Sequence, residues 1–365
     1  MLARSAQPRR RETVLRVGLI FDDIYLLHDT GWHVESPKRL SQTLQILEEK
    51  GVLGKLERIT PRAASMEEIT LVHQRDYVKR VEAFCKAGGG YLDPDTVASS
   101  KSFEVALFAA GGVIAGVDAI QAGKILRAFA LVRPPGHHAL PDRAMGFCLF
   151  NNVAVAARYA VRHLGHRRVL IVDWDYHHGN GTEAVFYEEP EVLYFSTHSA
   201  LGYPGTGWPR SVGEGPGKGL NINVPLPNTT GDADMRFVFQ EILEPVAEEY
   251  RPELVLVSAG QDGFRGDPIA GMRLTAAGYG VMARIVREIA DRYAGGRLVG
   301  VLEGGYDLEG LGTCISAILE AWMAGEAPVA PPEGEVRPEV AAAVAEVKEG
   351  QREYWRCFRE RSVIL

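Results

Sequence analysis

The stretch RVLIVDWDYHHGNGT, residues 168–182, decides how this chain reads. It opens as an apolar run from Val169 to Val172 and closes as a glycine turn. Between them stand Asp173, Asp175, His177 and His178. The apolar half is continuous rather than alternating, which is the pattern of a strand buried on both faces of a parallel sheet. Ionisable groups at the end of such a strand are costly to bury unless they are paired or bind something. The stretch therefore predicts both a sheet covered by helices and a site at its carboxyl edge.

The same grammar recurs on either side. Residues 14–21 (VLRVGLIF), 128–134 (AFALVRP), 192–198 (VLYFSTH), 220–227 (LNINVPLP), 253–260 (ELVLVSAG) and 297–305 (RLVGVLEGG) read as strands. Helical patterns at 36–51, 65–90, 151–165, 232–249 and 274–295 separate them. The first has Ser36 as its N-cap, Pro37 at its first position and Gly51 at its stop. The apolar run 105–117 (VALFAAGGVIAGV) is too short to span a bilayer and is rich in small residues, so it reads as a closely packed buried helix. The alternation persists to about Glu303 without a Pro/Ser-rich linker. It predicts one α/β domain over 1–325, a three-layer α/β/α sandwich with a mostly parallel central sheet. Residues 1–13, with Arg4, Arg9, Arg10 and Arg11, read as a basic tail. Residues 326–365 read as a Pro-rich loop and a helix whose Tyr354, Trp355 and Phe358 dock on the domain or on a sister subunit, which leaves a homo-oligomer open.

Composition excludes some classes. The chain has 365 residues, 46% hydrophobic, with a formal net charge of −7, so it carries no electrostatic footprint for nucleic acid. Cys85, Cys148, Cys314 and Cys357 lie far apart with no CxxC, which suggests neither a disulfide framework nor a thiolate zinc site and fits a reducing cytoplasm. The N-terminus lacks the uninterrupted apolar stretch of a signal peptide. Neither a nucleic acid nor a membrane is expected as a partner.

Ligands of parallel α/β sheets bind beyond the carboxyl ends of the strands. Here the strand ends deliver His137 and His138; Asp173, Asp175, His177 and His178; His198; Asp262 and Asp267; and Tyr306. Asp175 and His177 are two apart and so point to one side. With Asp262 they make a three-ligand nitrogen–oxygen set with room for water, the pattern of a catalytic rather than a structural zinc site. Ferrous iron suits the same ligands. His137 and His138 follow a stiff Pro-Pro-Gly turn and suit proton handling, with Asp173 and Asn180 as orienting partners for their far nitrogens. A carboxylate partner stabilises imidazolium and an amide does not, so the two rings should differ in basicity. Tyr306, after two glycines, could donate to an oxyanion. His178 should point away from the metal and act as a prop, hydrogen-bonded to an adjacent loop.

With these residues in place, the chain resembles the histone deacetylase superfamily, which includes bacterial histone deacetylase-like amidohydrolases, acetylpolyamine amidohydrolases and acetoin-utilization proteins. The matching blocks are HVESPKRL (33–40), RPPGHHA (133–139), MGFCLFNNVAVAA (145–157), VDWDYHHGNGT (172–182), YPGTG (203–207), NINVPLP (221–227), SAGQDGFRGDP (258–268) and LEGGYDLEGL (302–311). The resemblance implies an arginase-like fold and zinc-dependent removal of acetyl or related acyl groups from acylated lysine or a small acylated amine. It implies Asp175, His177 and Asp262 as zinc ligands and His138 as general base. His137 is implied as an electrostatic partner, with Asn180 behind His138 and Asp173 behind His137. Asn180 resembles the class II enzymes. Tyr306 resembles the transition-state tyrosine, and its presence argues against the class IIa pattern. Phe147 and Tyr203 are implied as channel walls, Arg39 as the arginine near an acetate-exit cavity, and Asp93 or Asp95 as the rim acceptor. A structural potassium ion is implied near Asp173, Asp175, His177, Ser196 and Thr197, partly through carbonyls. Ile269 stands where polyamine-selective members place an acidic gatekeeper, which leans towards acetyl-lysine, whereas Tyr203 leans the other way. Two rivals are a ureohydrolase with two manganese ions, for which the bridging carboxylates are too few, and a non-enzymatic acyl-lysine reader, against which the intact site argues.

Overall fold

The structure is a computed structural model and describes residues 17–325 and 334–359. The expected tail at 1–13, the start of the first strand at 14–16, residues 326–333 of the Pro-rich loop and residues 360–365 lie outside the described residues.

Ten strands are described. They are β1 (Val17–Ile20), β2 (Glu57–Ile59), β3 (Gly89–Tyr91), β4 (Val97–Ser99), β5 (Arg127–Ala130), β6 (Val169–Asp173), β7 (Val192–Ser199), β8 (Asn221–Leu226), β9 (Leu254–Ala259) and β10 (Leu298–Leu302). Eight form one sheet in the order β2-β1-β5-β10-β9-β6-β7-β8, and every pairing in it is parallel. The apolar runs of β5, β6, β9 and β10 are buried at every position, as a sheet covered on both faces requires. Helices lie on both faces, so the expected α/β/α sandwich is the one found. Two features escape a search for apolar runs. The edge strand β2 has the sequence ERI and is largely solvent-facing. The β3–β4 pair is a separate antiparallel hairpin.

Helix termini follow local chemistry. Asn151 Oδ1 accepts the Ala154 N–H at 3.0 Å and starts the helix Asn152–Leu164. Ser65 and Glu68 form a reciprocal capping box at Met66–Ile69. The helix expected from Pro37 instead runs Lys38–Glu49. Pro37 is its N-cap, and no side chain caps it. Its expected cap, Ser36, contributes only a carbonyl, to the Arg39 N–H at 3.1 Å. The segment expected as one helix at 232–249 is helical throughout but carries a π-turn at Phe239–Leu243, just before Pro245, which has no N–H to give to a regular turn.

The apolar run at 105–117 belongs to a longer helix than expected, Ser102–Gln121, whose length and hydropathy would suffice to cross a membrane. In the fold 67% of that apolar window is buried. A Cβ at Gly111 would sit 2.0 Å from the Arg62 carbonyl oxygen, so the small residue permits close backbone contact. The helix is part of the core.

The C-terminal helix Pro338–Gln351 docks on its own domain. Gln351 Nε2 donates to the Asn221 carbonyl at 2.7 Å, and Trp355 Nε1 donates to the Gly219 carbonyl at 2.9 Å. Trp355 and Phe358 are buried there. This cover falls on β8, the strand at one edge of the sheet, which would otherwise offer unpaired backbone groups.

Candidate active site

The sheet order brings β5, β10, β9, β6 and β7 side by side, so the polar strand ends read from the sequence are neighbours in space. Asp173 ends β6, and Asp175 and His177 follow it on one side of the chain. His177 Nδ1 lies 3.2 Å from Asp175 Oδ1 and 2.9 Å from Asp262 Oδ2. One ligand atom from each of the three falls within 4.8 Å of the others.

Backbone amides aim the carboxylates. Asp175 Oδ2 accepts the Gly304 N–H at 2.8 Å, and Asp262 Oδ1 accepts the Tyr176 N–H at 2.9 Å. A Cβ at Gly304 would lie 2.4 Å from Asp262 Oδ2 and 2.7 Å from Asp175 Oδ2, so only glycine lets this backbone approach both acids. Burial pushes the Asp262 carboxyl up, and the neighbouring Asp175 pushes it further. A divalent cation would relieve that repulsion. Two hard oxygen donors and one imidazole, converging in a buried pocket floor, fit zinc or ferrous iron.

The two histidines of the Pro-Pro-Gly turn stand beside this set with ring centroids 4.0 Å apart. His138 Nδ1 donates to Asn180 Oδ1 at 2.8 Å, which leaves Nε2 free to accept a proton. His137 Nδ1 faces Asp173 Oδ2 at 3.1 Å, an oxygen that also accepts the Tyr194 hydroxyl at 3.0 Å. Burial works against a charge on His137, but Asp175 and Asp173 outweigh it and hold its pKa up at about 10. Burial lowers His138 well below the ordinary imidazole value, and charge on His137 and His177 lowers it further.

Glu303, at the end of β10, is a site residue that the sequence reading missed. Its Oε2 accepts the Gly136 N–H at 2.6 Å and the His137 N–H at 3.1 Å, and its Oε1 accepts the Ser258 hydroxyl at 3.1 Å. It clamps the turn that presents both histidines. Burial pushes its carboxyl up to about 7. A lone glutamate before two glycines has no spacing signal, although an acid ending a wholly apolar strand is itself a cue.

A cavity of about 610 Å³ opens above this floor. Tyr306 is buried at its base, and burial pushes the phenol well above its usual pKa, so it stays a donor. Phe147 stands edge-on to Tyr306 at 5.8 Å, and Tyr203 stands edge-on to His138 at 5.1 Å. Phe147 has φ +69°, a strained conformation for a bulky residue, and the Thr96 hydroxyl braces its N–H at 3.1 Å. Ile269 lies at the mouth with Asp93 and Asp95. Asp95 Oδ1 is 3.2 Å from His33 Nε2, and the His33 ring packs against Phe147 at 4.6 Å. His33 belongs to a quoted block but carried no expected role.

Arg39, expected near an acetate-exit cavity, does not line the cavity just described. It is fully buried behind Tyr306, with its guanidinium 4.8 Å from the ring centroid, and it donates to the carbonyls of Gly305 (2.7 Å) and Glu303 (2.5 Å). Its third partner is Glu35, at 3.1 Å. Arg133 also holds Glu35 in a two-pronged contact of 2.5 and 2.7 Å. Burial opposes a charge on Glu35, but Arg133 and its hydrogen bonds bring the pKa down to about 2. This ion cluster fixes the segment 33–40 beneath the site.

Of the residues expected around potassium, Ser196 sits in register with Asp173 across β6 and β7, and its hydroxyl meets His198 Nδ1 at 2.9 Å. Thr197 Oγ1 is buried with no hydrogen-bond partner among the described residues.

Residues 33–322 match the histone deacetylase domain. The chain belongs to the histone deacetylase family. It is 40% identical over 359 residues to a protein of Archaeoglobus fulgidus described as a "Probable deacetylase", covering 94% of this chain and 99% of that one. It is 39% identical over 325 residues to the histone deacetylase-like amidohydrolase of Pseudomonas aeruginosa, covering 84% and 85% of the two chains. Its fold is similar to the crystal structure of the HDA15 HD domain, with a TM-score of 0.88 at 35% identity over 95% of this chain and 97% of that one. The arginase-like sandwich expected from the resemblance is therefore the fold found. As a member of this family the chain is a hydrolase of the deacetylase and amidohydrolase kind.

Proposed function

We propose that this chain hydrolyses the amide bond of N-acetylated or related N-acylated amines, with acetyl-lysine preferred, around a divalent metal held by Asp175, His177 and Asp262. The observation that carries the reading is the convergence, at the floor of one cavity, of this ligand set with the oriented His137–His138 pair and Tyr306.

Zinc, or ferrous iron in its place, would supply Lewis acidity there, polarising the acyl carbonyl and acidifying a water. His138 Nε2 takes the water proton, because Nδ1 already donates to Asn180. His137, held between Asp173 and Asp175, keeps positive charge beside the developing anion. The Tyr306 hydroxyl donates to the acyl oxygen as negative charge grows on it. A protonated histidine returns the proton to the departing nitrogen. The C–N bond breaks, water contributes OH to the acyl carbon and H to the amine, and a carboxylate and a free amine leave.

Phe147 and Tyr203 would flank the aliphatic stem of the substrate and exclude water from it. The apolar Ile269 at the mouth favours acetyl-lysine over a polyamine, whose second ammonium would want an acid there. Asp95, steadied by His33, or Asp93 would accept an N–H at the rim. A potassium ion beside Asp173, Asp175, His177, Ser196 and Thr197 would explain the orphaned Thr197 hydroxyl.

The test is turnover on an acetyl-lysine peptide, an acetylpolyamine and longer acyl-lysines. Acetate and free amine in equal amounts are expected, with the acetyl-lysine peptide turned over fastest. Binding of the peptide by metal-loaded protein with no turnover would favour the reader instead.

A further inference from the structure

The second histidine of the tandem pair has no part in the chemistry above, yet its ring is almost wholly buried. Its Nδ1 lies 2.8 Å from the hydroxyl of Thr206, in the loop that follows β7 and carries Tyr203. Its Nε2 lies 3.3 Å from Glu183 Oε2, at ion-pair distance but out of hydrogen-bond alignment. That carboxylate oxygen accepts Nδ2 of Asn221 at 2.8 Å and Nδ2 of Asn223 at 2.6 Å, both on β8. A proton on Nε2, facing the carboxylate, leaves Nδ1 to accept the Thr206 O–H. His198 lies beside it, ring centroids 4.7 Å apart, and meets the Gly207 carbonyl through Nε2 at 2.9 Å. Two buried histidines thus grip consecutive positions of one loop.

Tyr203 needs such a grip. The residue is 45% exposed, so packing alone does not fix a ring that must stand edge-on to His138. We propose that His178 is a positioning residue of the substrate channel, transmitting the rigidity of β8 through Glu183 to Thr206 so that Tyr203 closes one wall over His138. This rests on the hydrolytic reading above for its effect on substrate, but not for the anchor itself. It also separates the roles of the tandem histidines: His177 faces the metal and His178 sets the channel.

Substituting His178 risks the fold, so the test uses the exposed Thr206. Thr206→Val keeps the shape and removes the hydroxyl; Thr206→Ser keeps the hydroxyl. For Thr206→Val, KM for an acetyl-lysine peptide should rise about five-fold, the loss of one net hydrogen bond, with kcat changing less. Hydrogen–deuterium exchange should quicken in peptides covering 202–207. Thr206→Ser should restore both. Unchanged exchange, unchanged KM, or a serine variant as impaired as the valine one would overturn the proposal. Exchange reads the anchor whether or not the peptide is turned over. Failure of the hydrolytic reading would therefore appear as absent turnover with the exchange difference intact.

Discussion

His138→Ala lowers kcat on an acetyl-lysine peptide by about 10²- to 10⁴-fold, the range for removing a positioned general base, with KM and bound metal little changed. The expectation follows from one hydrogen bond. Because Nδ1 donates to Asn180, the His138 ring presents a bare Nε2 towards the floor of the cavity. Burial and the neighbouring charges keep that ring neutral, so it is ready to accept a proton. His137 is poorly suited to replace it, since the acids around it hold its own proton. Substituting His137 should therefore cost rate without the same loss of proton acceptance. A His138→Ala protein with near-normal kcat would remove this ring from the reaction.

Tyr306→Phe is the second large effect. It deletes one hydroxyl and leaves the ring that packs between Arg39 and Phe147. Losing one oxyanion donor costs about 2.7–4 kcal/mol of barrier, so kcat should fall roughly 10²- to 10³-fold. Metal content measured on the same preparation should not change, because Tyr306 is outside the ligand set. A loss of metal alongside activity would place the tyrosine in the structure of the site rather than in its chemistry.

How much of this was legible in the sequence depended on periodicity. The parallel sheet was visible because β5, β6, β9 and β10 are continuous apolar runs, and the site was visible because polar groups follow them at once. The i, i+2 spacing of Asp175 and His177 carried their common direction, and the structure places them together with Asp262. The same alternation turned His178 away, and the structure places it against Thr206. What has no period was not legible. Glu303 holds the histidine turn through two backbone amides, and such contacts depend on which strands lie side by side. Strand order also decides where Arg39 falls. Its block of sequence resembles a family motif, but the buried Glu35 and the carbonyls of Glu303 and Gly305 draw its guanidinium behind Tyr306. The polar edge strand β2 exists because β1 offers it hydrogen bonds, not because its own residues demand burial.

The central claim is that hydrolysis depends on one metal ion held by Asp175, His177 and Asp262. The direct measurement is to strip the protein with a chelator and add zinc back in measured fractions of an equivalent, following release of free amine from an acetyl-lysine peptide. Turnover should rise in proportion and level off at one zinc per chain, and Asp262→Ala should show no such rise. Full turnover in the stripped protein, or a plateau that requires two ions, would contradict the account.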